Sequence, residues 1–176
     1  MIIMGVDPGV ARLGYAFIEI KKKEGKLKAI DYGCITTAPG LSNGERLKIL
    51  NNELNKMIKK YKPTILAIEK LYFFKNLKTA MPVSQAKGVI LLTAAKKNIP
   101  VYEFTPLQVK MAVVGYGKAE KKQVQKMIRL ILHLKELPRP DDAADALAIA
   151  VCYAILPPHQ ILVWGQDSIP KASSAK

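Results

Sequence analysis

Cysteine is nearly absent. Cys34 and Cys152 are the only two, each in an apolar context, which excludes a disulfide framework and a zinc pattern and leaves two small buried thiols. Long apolar runs are missing as well. The longest uncharged one, Ala146 to Leu156, falls far short of the roughly 20 residues of a membrane-spanning helix. The opening residues MIIMGVDPG lack a basic leader region, so no signal peptide, no membrane segment and a cytoplasmic location are expected. Acid is scarce: 14 Asp and Glu stand against 28 Lys and Arg, for a formal charge of +14. Such an excess points to a polyanionic partner, because neutralising phosphates is the main sequence-independent source of nucleic-acid affinity.

With 176 residues, 49% of them hydrophobic, the chain is long enough for one domain with a substantial core. IIMGVD is a continuous apolar run that stops at Asp7 before Pro8-Gly9, the pattern of a strand covered on both faces. LGYAFIEIK and KLKAIDYGCITT predict a hairpin. SNGE at 42–45 fits a capping box, followed by Leu47, Leu50, Leu54, Met57 and Ile58 at helical spacing. TILAIE predicts a strand ending at Glu69, then a helix from about Thr79 to Lys97 and the strand PVYEF. Thr105 and Pro106 suit the N-cap and first position of a helix that ends near Gly115, and Glu120 to Leu134 predicts another. The last helix starts at RPDDAADALAIA, with Asp141 as its expected N-cap. This order describes an α/β sheet with helices on both faces.

The carboxylates are placed unusually for so basic a chain. Asp142 and Asp145 are three residues apart and share a helix face. Asp145 heads the apolar run from Ala146 to Leu156, where an unpaired carboxylate is costly, so something cationic must meet it. One candidate is a Lys or Arg. The other is a divalent metal, since Asp7 and Glu69 close two separate strands, a place where α/β proteins gather chemistry. Four converging carboxylates repel one another unless neutralised, and all-oxygen ligation suits Mg²⁺ or Mn²⁺. Paired ions about 4 Å apart promote phosphodiester hydrolysis. A chain of charge +14 with such a site is a nuclease candidate.

GVDPGVARLGYAFIE, IEKLYFFKN, SQAKGV, QVKMAVVGYGKAEKKQVQKMI and DDAADALAIA follow one another in the order and spacing of the RuvC family of crossover-junction endonucleases, which this sequence resembles from Met1 to about Leu156. The resemblance implies an RNase H-like fold with a mixed five-stranded sheet and helices on both faces, spanning residues 1–157, followed by a C-terminal extension over 158–176 whose end is expected to be flexible. It implies a homodimer that cuts four-way (Holliday) DNA junctions in recombination and repair, leaving 5′-phosphate ends. Its cofactor is Mg²⁺, with Mn²⁺ able to substitute and two ions per site, and a branch-migration motor is an implied partner. The family's metal-binding acids fall on Asp7, Glu69, Asp142 and Asp145. Its base-stacking aromatic, usually Phe, falls on Tyr72, and its DNA-binding lysines fall on Lys110 and Lys121. The family's dimer helix corresponds to the one from Thr79, where Ser84, Gly88 and Ala95 form a small-residue stripe; packing of that stripe on its own sheet is the alternative. His133 and His159 receive no role. Three rivals remain at this level: another RNase H-like nuclease acting on RNA or hybrids, an actin-like ATPase domain, for which the chain is too short, and a non-enzymatic junction-binding module.

Overall fold

The computed structural model describes residues 1–21, 25–71, 77–156 and 162–163, with 77–79 and 162–163 described in backbone only. Three strands open the fold: β1 (Ile2–Asp7), β2 (Arg12–Lys21) and β3 (Lys26–Thr36), each antiparallel to the one before. Then follow α1 (Asn43–Tyr61), β4 (Ile65–Glu69), α2 (Leu77–Lys96), β5 (Val101–Phe104), α3 (Pro106–Val114), α4 (Lys121–Ile131) and α5 (Asp141–Ile155). β4 and β5 are parallel to β1, which gives the order β3-β2-β1-β4-β5. The expected mixed five-stranded sheet is therefore present, and a two-residue strand, β6 (Leu162–Val163), extends it antiparallel to β5.

Strand parity divides the core. Ile3, Ile65 and Ala67 face a layer that contains α3, α4 and α5, whereas Met4, Val6, Leu66 and Ile68 face α1 and α2. A central strand covered on both sides must be apolar at consecutive positions, which is why IIMGVD does not alternate. The caps follow the side chains expected of them. Ser42 and Glu45 close a capping box on α1, Thr105 and Gln108 close one on α3, and Gly115, at φ +77°, ends α3 in the left-handed conformation.

Three boundaries differ from expectation. α2 begins at Leu77, two residues early. α4 stops at Ile131, because His133 takes a left-handed φ of 51° and the Leu134 amide donates back to the Arg129 carbonyl at 2.9 Å, a Schellman-type stop. The N-cap of α5 is Pro140, extended at ψ 177°, so Asp141 is the first helical residue rather than the cap. Asp141 instead accepts a hydrogen bond from Gln125 at 3.0 Å and lies 3.6 Å from the Lys121 ammonium. Cys152 is buried as expected, its thiol pushed up to about 12 by desolvation, and Cys34 is half-buried.

Candidate active site

β1 and β4 run parallel with Val6 beside Ile68. One step further along, Asp7 and Glu69 stand side by side at the same end of neighbouring strands, on the face that α5 covers. α5 reaches that face because two glycines leave it room. A Cβ on Gly5 would lie 2.1 Å from the Ala146 carbonyl oxygen, and one on Gly14 would lie 2.0 Å from that of Asp142. Backbone packed on backbone sets the first turns of α5 directly over β1 and β2. Asp142 and Asp145 are thereby carried to the strand ends that hold Asp7 and Glu69.

Electrostatics register the convergence. Burial, then the charges of Glu69, Asp145 and Asp142, push the Asp7 carboxyl up from 3.8 to about 8, with Lys121 offsetting part of the rise. Burial and Asp145 likewise raise Glu69, while a hydrogen bond from Asp7 and the nearby cations Lys121 and Lys87 hold it back. Asp145 is raised by burial and by Asp141 and Asp142, against the pull of Lys121. Crowding of like charge in a partly desolvated spot disfavours the ionised form of each.

Two cations touch the rim. Lys121 Nζ donates to Asp145 Oδ2 at 2.8 Å, and the Arg12 guanidinium lies 3.7 Å from Asp142 Oδ2. Asp145 thus meets a cation, as its position demanded, but its side chain is 34% exposed rather than buried. Exposed or half-exposed pairs contribute about 0–1 kcal/mol, so the contact is exchangeable. Among the described residues, no three His, Cys, Asp or Glu side chains are grouped so as to hold a metal ion; Lys121 and Arg12 instead meet the outer oxygens of Asp145 and Asp142.

Beside the acids lies a cavity of about 280 Å³, walled by Pro106, Val109, Val124 and Ile149, with Lys110 and Lys121 among its lining alongside Glu69 and Asp145. Both lysines singled out in the sequence therefore stand at the acids. Tyr72 lies outside the described residues. Sequence reasoning missed Arg12 as the partner of Asp142. It also missed Lys87, which meets Glu103 at 2.6 Å with each side chain only 14% exposed; SQAKGV held that lysine without any hint of its partner on β5.

Comparison with known proteins settles the family. The model described as crossover junction endodeoxyribonuclease RuvC matches residues 3–153. The chain belongs to the RuvC family. The RuvC of Halothermothrix orenii is 53% identical over 87% of this chain and 92% of its own length, and that of Roseiflexus sp. is 52% identical over 88% and 91%. Among solved structures, Thermus thermophilus RuvC in complex with a Holliday junction substrate superposes with a TM-score of 0.82 at 35% identity, covering 88% of this chain and 93% of that one. The Fowlpox virus resolvase, at 17% identity and a TM-score of 0.58, shares the fold. Among the described residues no helix is long and apolar enough to cross a membrane.

Proposed function

We propose that this chain is a structure-selective endonuclease that resolves four-way DNA junctions by paired, metal-dependent phosphodiester hydrolysis, in recombination and repair. The observation that carries the reading is the gathering of Asp7, Glu69, Asp142 and Asp145 from three elements of a chain of charge +14. The membership described above supplies the substrate class, since a relative of the same family has been solved on a Holliday junction.

The donor set fits a hard divalent cation. All of its atoms are oxygen, its negative charge is only partly met by Lys121 and Arg12, and Asp7 is driven toward protonation where no stronger cation compensates it. Asp7, Glu69, Asp142 and Asp145 would hold Mg²⁺, or Mn²⁺ in its place, with two ions assigned to each site. A bound ion supplies Lewis acidity at the phosphodiester and a water of lowered pKa. The rest belongs to the chain. The Gly5 and Gly14 contacts keep α5 seated so that the carboxylates stay together, and Lys110 and Lys121 hold DNA phosphate beside them. The apolar wall of Val109, Val124 and Ile149 keeps bulk water from one side of the acids.

Tyr72 is assigned to stacking on an unpaired base near the crossover, worth about 1–3 kcal/mol. On that assignment Tyr72→Ala lowers cleavage more than binding, and Tyr72→Phe is tolerated; equal loss in both points to the hydroxyl instead. Residues 1–157 form the nuclease domain and 158–176 an extension, of which Leu162–Val163 joins the sheet.

A homodimer with two symmetric sites matches the two opposed cuts that a four-way junction requires. The outward face of α2 suits that contact. Met81, Gly88, Leu92 and Ala95 are exposed along it, while Ala86, Ile90 and Ala94 pack inward on the chain's own core. A branch-migration motor is the remaining partner. The deciding experiment is cleavage of a synthetic four-way junction with and without Mg²⁺, against a linear duplex. Paired, Mg²⁺-dependent cuts on the junction alone are expected; cutting of the duplex equally well, or none at all, overturns the reading.

A further inference from the structure

Arginine is rare in this chain: four residues, Arg12, Arg46, Arg129 and Arg139, against 24 lysines. Two of the four line one open cleft of about 610 Å³, formed by the β1–β2 turn, the segment before α1 and the first turns of α2. Its lining includes Gly9, Val10, Arg12, Asn43, Arg46 and Pro82, and among the described residues that line it none is acidic. The cleft begins at the active site, because the Arg12 side chain that borders it is also the one 3.7 Å from Asp142. It lies on the side of the acids away from Lys110 and Lys121, which line the separate cavity between α3, α4 and α5.

The two arginines are held differently. Arg46 is half-buried: its Nε donates to the Leu41 carbonyl at 3.3 Å and its Nη1 to Thr37 Oγ1 at 3.5 Å. These contacts aim a planar fork and use only part of its five donors. Arg12 is 65% exposed with one weak partner, so it reorients at little cost. Asn43 is tied to Gln85 of α2, which holds the two walls together.

We propose that this cleft is a second phosphate-binding subsite for the junction DNA strand, engaging the backbone on the far side of the scissile phosphate from Lys110 and Lys121. Arg12 and Arg46 are the contacting groups. Guanidinium forks match phosphate oxygens bidentately, in a cleft where, among the described residues, the charged lining is positive. The inference rests on the reading of the chain as a junction endonuclease. It adds the path of the strand: from the lysine side, over the acids, into the arginine cleft.

The test measures metal-free binding of a synthetic four-way junction against salt concentration, in EDTA, for the parent chain, Arg12→Gln, Arg46→Gln and the double variant. Each single change is expected to lower the slope of log affinity against log salt by about 0.7–0.9 and to weaken binding about five- to tenfold near 0.1 M salt. Arg12→Lys should restore the slope, because the charge is kept. Arg12 is exposed and its loss leaves folding intact, so the test survives if Arg46→Gln loosens the segment between β3 and α1 that Arg46 contacts; melting curves identify that case. An unchanged slope for a folded Arg12→Gln overturns the subsite and leaves Arg12 as a partner of Asp142 only. Failure of the parent chain to bind the junction sinks the underlying reading instead.

Discussion

Asp7→Asn isolates the charge crowding at the active site. In the metal-free protein Asp7 has a folded value of about 8 against an ordinary 3.8, so between those pH values the folded chain binds more protons than the unfolded one. Stability therefore falls as pH rises through that window, with a limiting slope of about 1.4 kcal/mol per pH unit. From pH 5 to pH 7 the ceiling is about 2–3 kcal/mol, reduced in practice by compactness of the unfolded chain. Asn carries no such dependence. Its own desolvation cost is the same at both pH values and cancels from the difference. The melting-temperature advantage of Asp7→Asn over the parent, measured in EDTA, should thus grow between pH 5 and pH 7 by about 4–10 °C, at roughly 2–4 °C per kcal/mol for a chain of this size. Mg²⁺ should then raise the melting temperature of the parent more than that of the variant, and junction cleavage by the variant should fall by several orders of magnitude. A melting-temperature difference between variant and parent that stays flat from pH 5 to pH 7, or moves the other way, would refute the claim that Asp7 sits desolvated among like charges.

Three further outcomes follow from the same geometry. Asp145→Asn breaks a half-exposed pair with Lys121, so stability in EDTA should change by no more than about 1 kcal/mol while cleavage collapses and metal-free junction binding holds or tightens; a loss of about 3–5 kcal/mol would mark a buried structural ion pair instead. Lys110→Ala and Lys121→Ala should each lower the salt slope of junction binding by about 0.9, and unchanged slopes in both would place the cavity outside the DNA footprint. Gly14→Ala forces a methyl group against the Asp142 carbonyl, so α5 must shift at its first turn. About 1–3 kcal/mol of stability should be lost, with cleavage falling further than junction binding, and normal cleavage would show that the seat of α5 does not govern the acids.

Legibility differed sharply between local and long-range features. Asp7 and Glu69 could be read because each ends a continuous apolar run, and strand parity then places both on one face. Asp142 and Asp145 could be read from a three-residue spacing on one helix. The glycine seat of α5 could not, because Gly5 and Gly14 look like ordinary strand residues until a helix more than a hundred positions later lies on them. β6 escaped for a different reason: a strand of two residues is too short to leave a hydropathy pattern. Asp141 was misplaced by one position because capping preference favours Asp over Pro, whereas here Lys121 and Gln125 of α4 give Asp141 partners inside the first turn.

The sequence posed the partner of Asp145 as a choice between a basic side chain and a metal ion. In the structure the basic side chain is Lys121, yet the contact does not dispose of the ion. Lys121 is shared between Asp145 and Asp141 and remains about half exposed, and burial with the charges of Asp141 and Asp142 still raises Asp145 from its ordinary value despite it. One ammonium therefore leaves the cluster short of positive charge, and Asp7, deepest in the crowd, bears the remainder. Lys121 and Arg12 hold the rim acids loosely enough to be released. DNA phosphate is the ligand that their chemistry prefers over a crowded carboxylate, and each cation that turns toward phosphate frees an oxygen of Asp145 or Asp142. On the proposed reading, substrate engagement and metal binding are linked through the same two side chains, which reconciles a site rich in acid with a chain that is otherwise overwhelmingly basic.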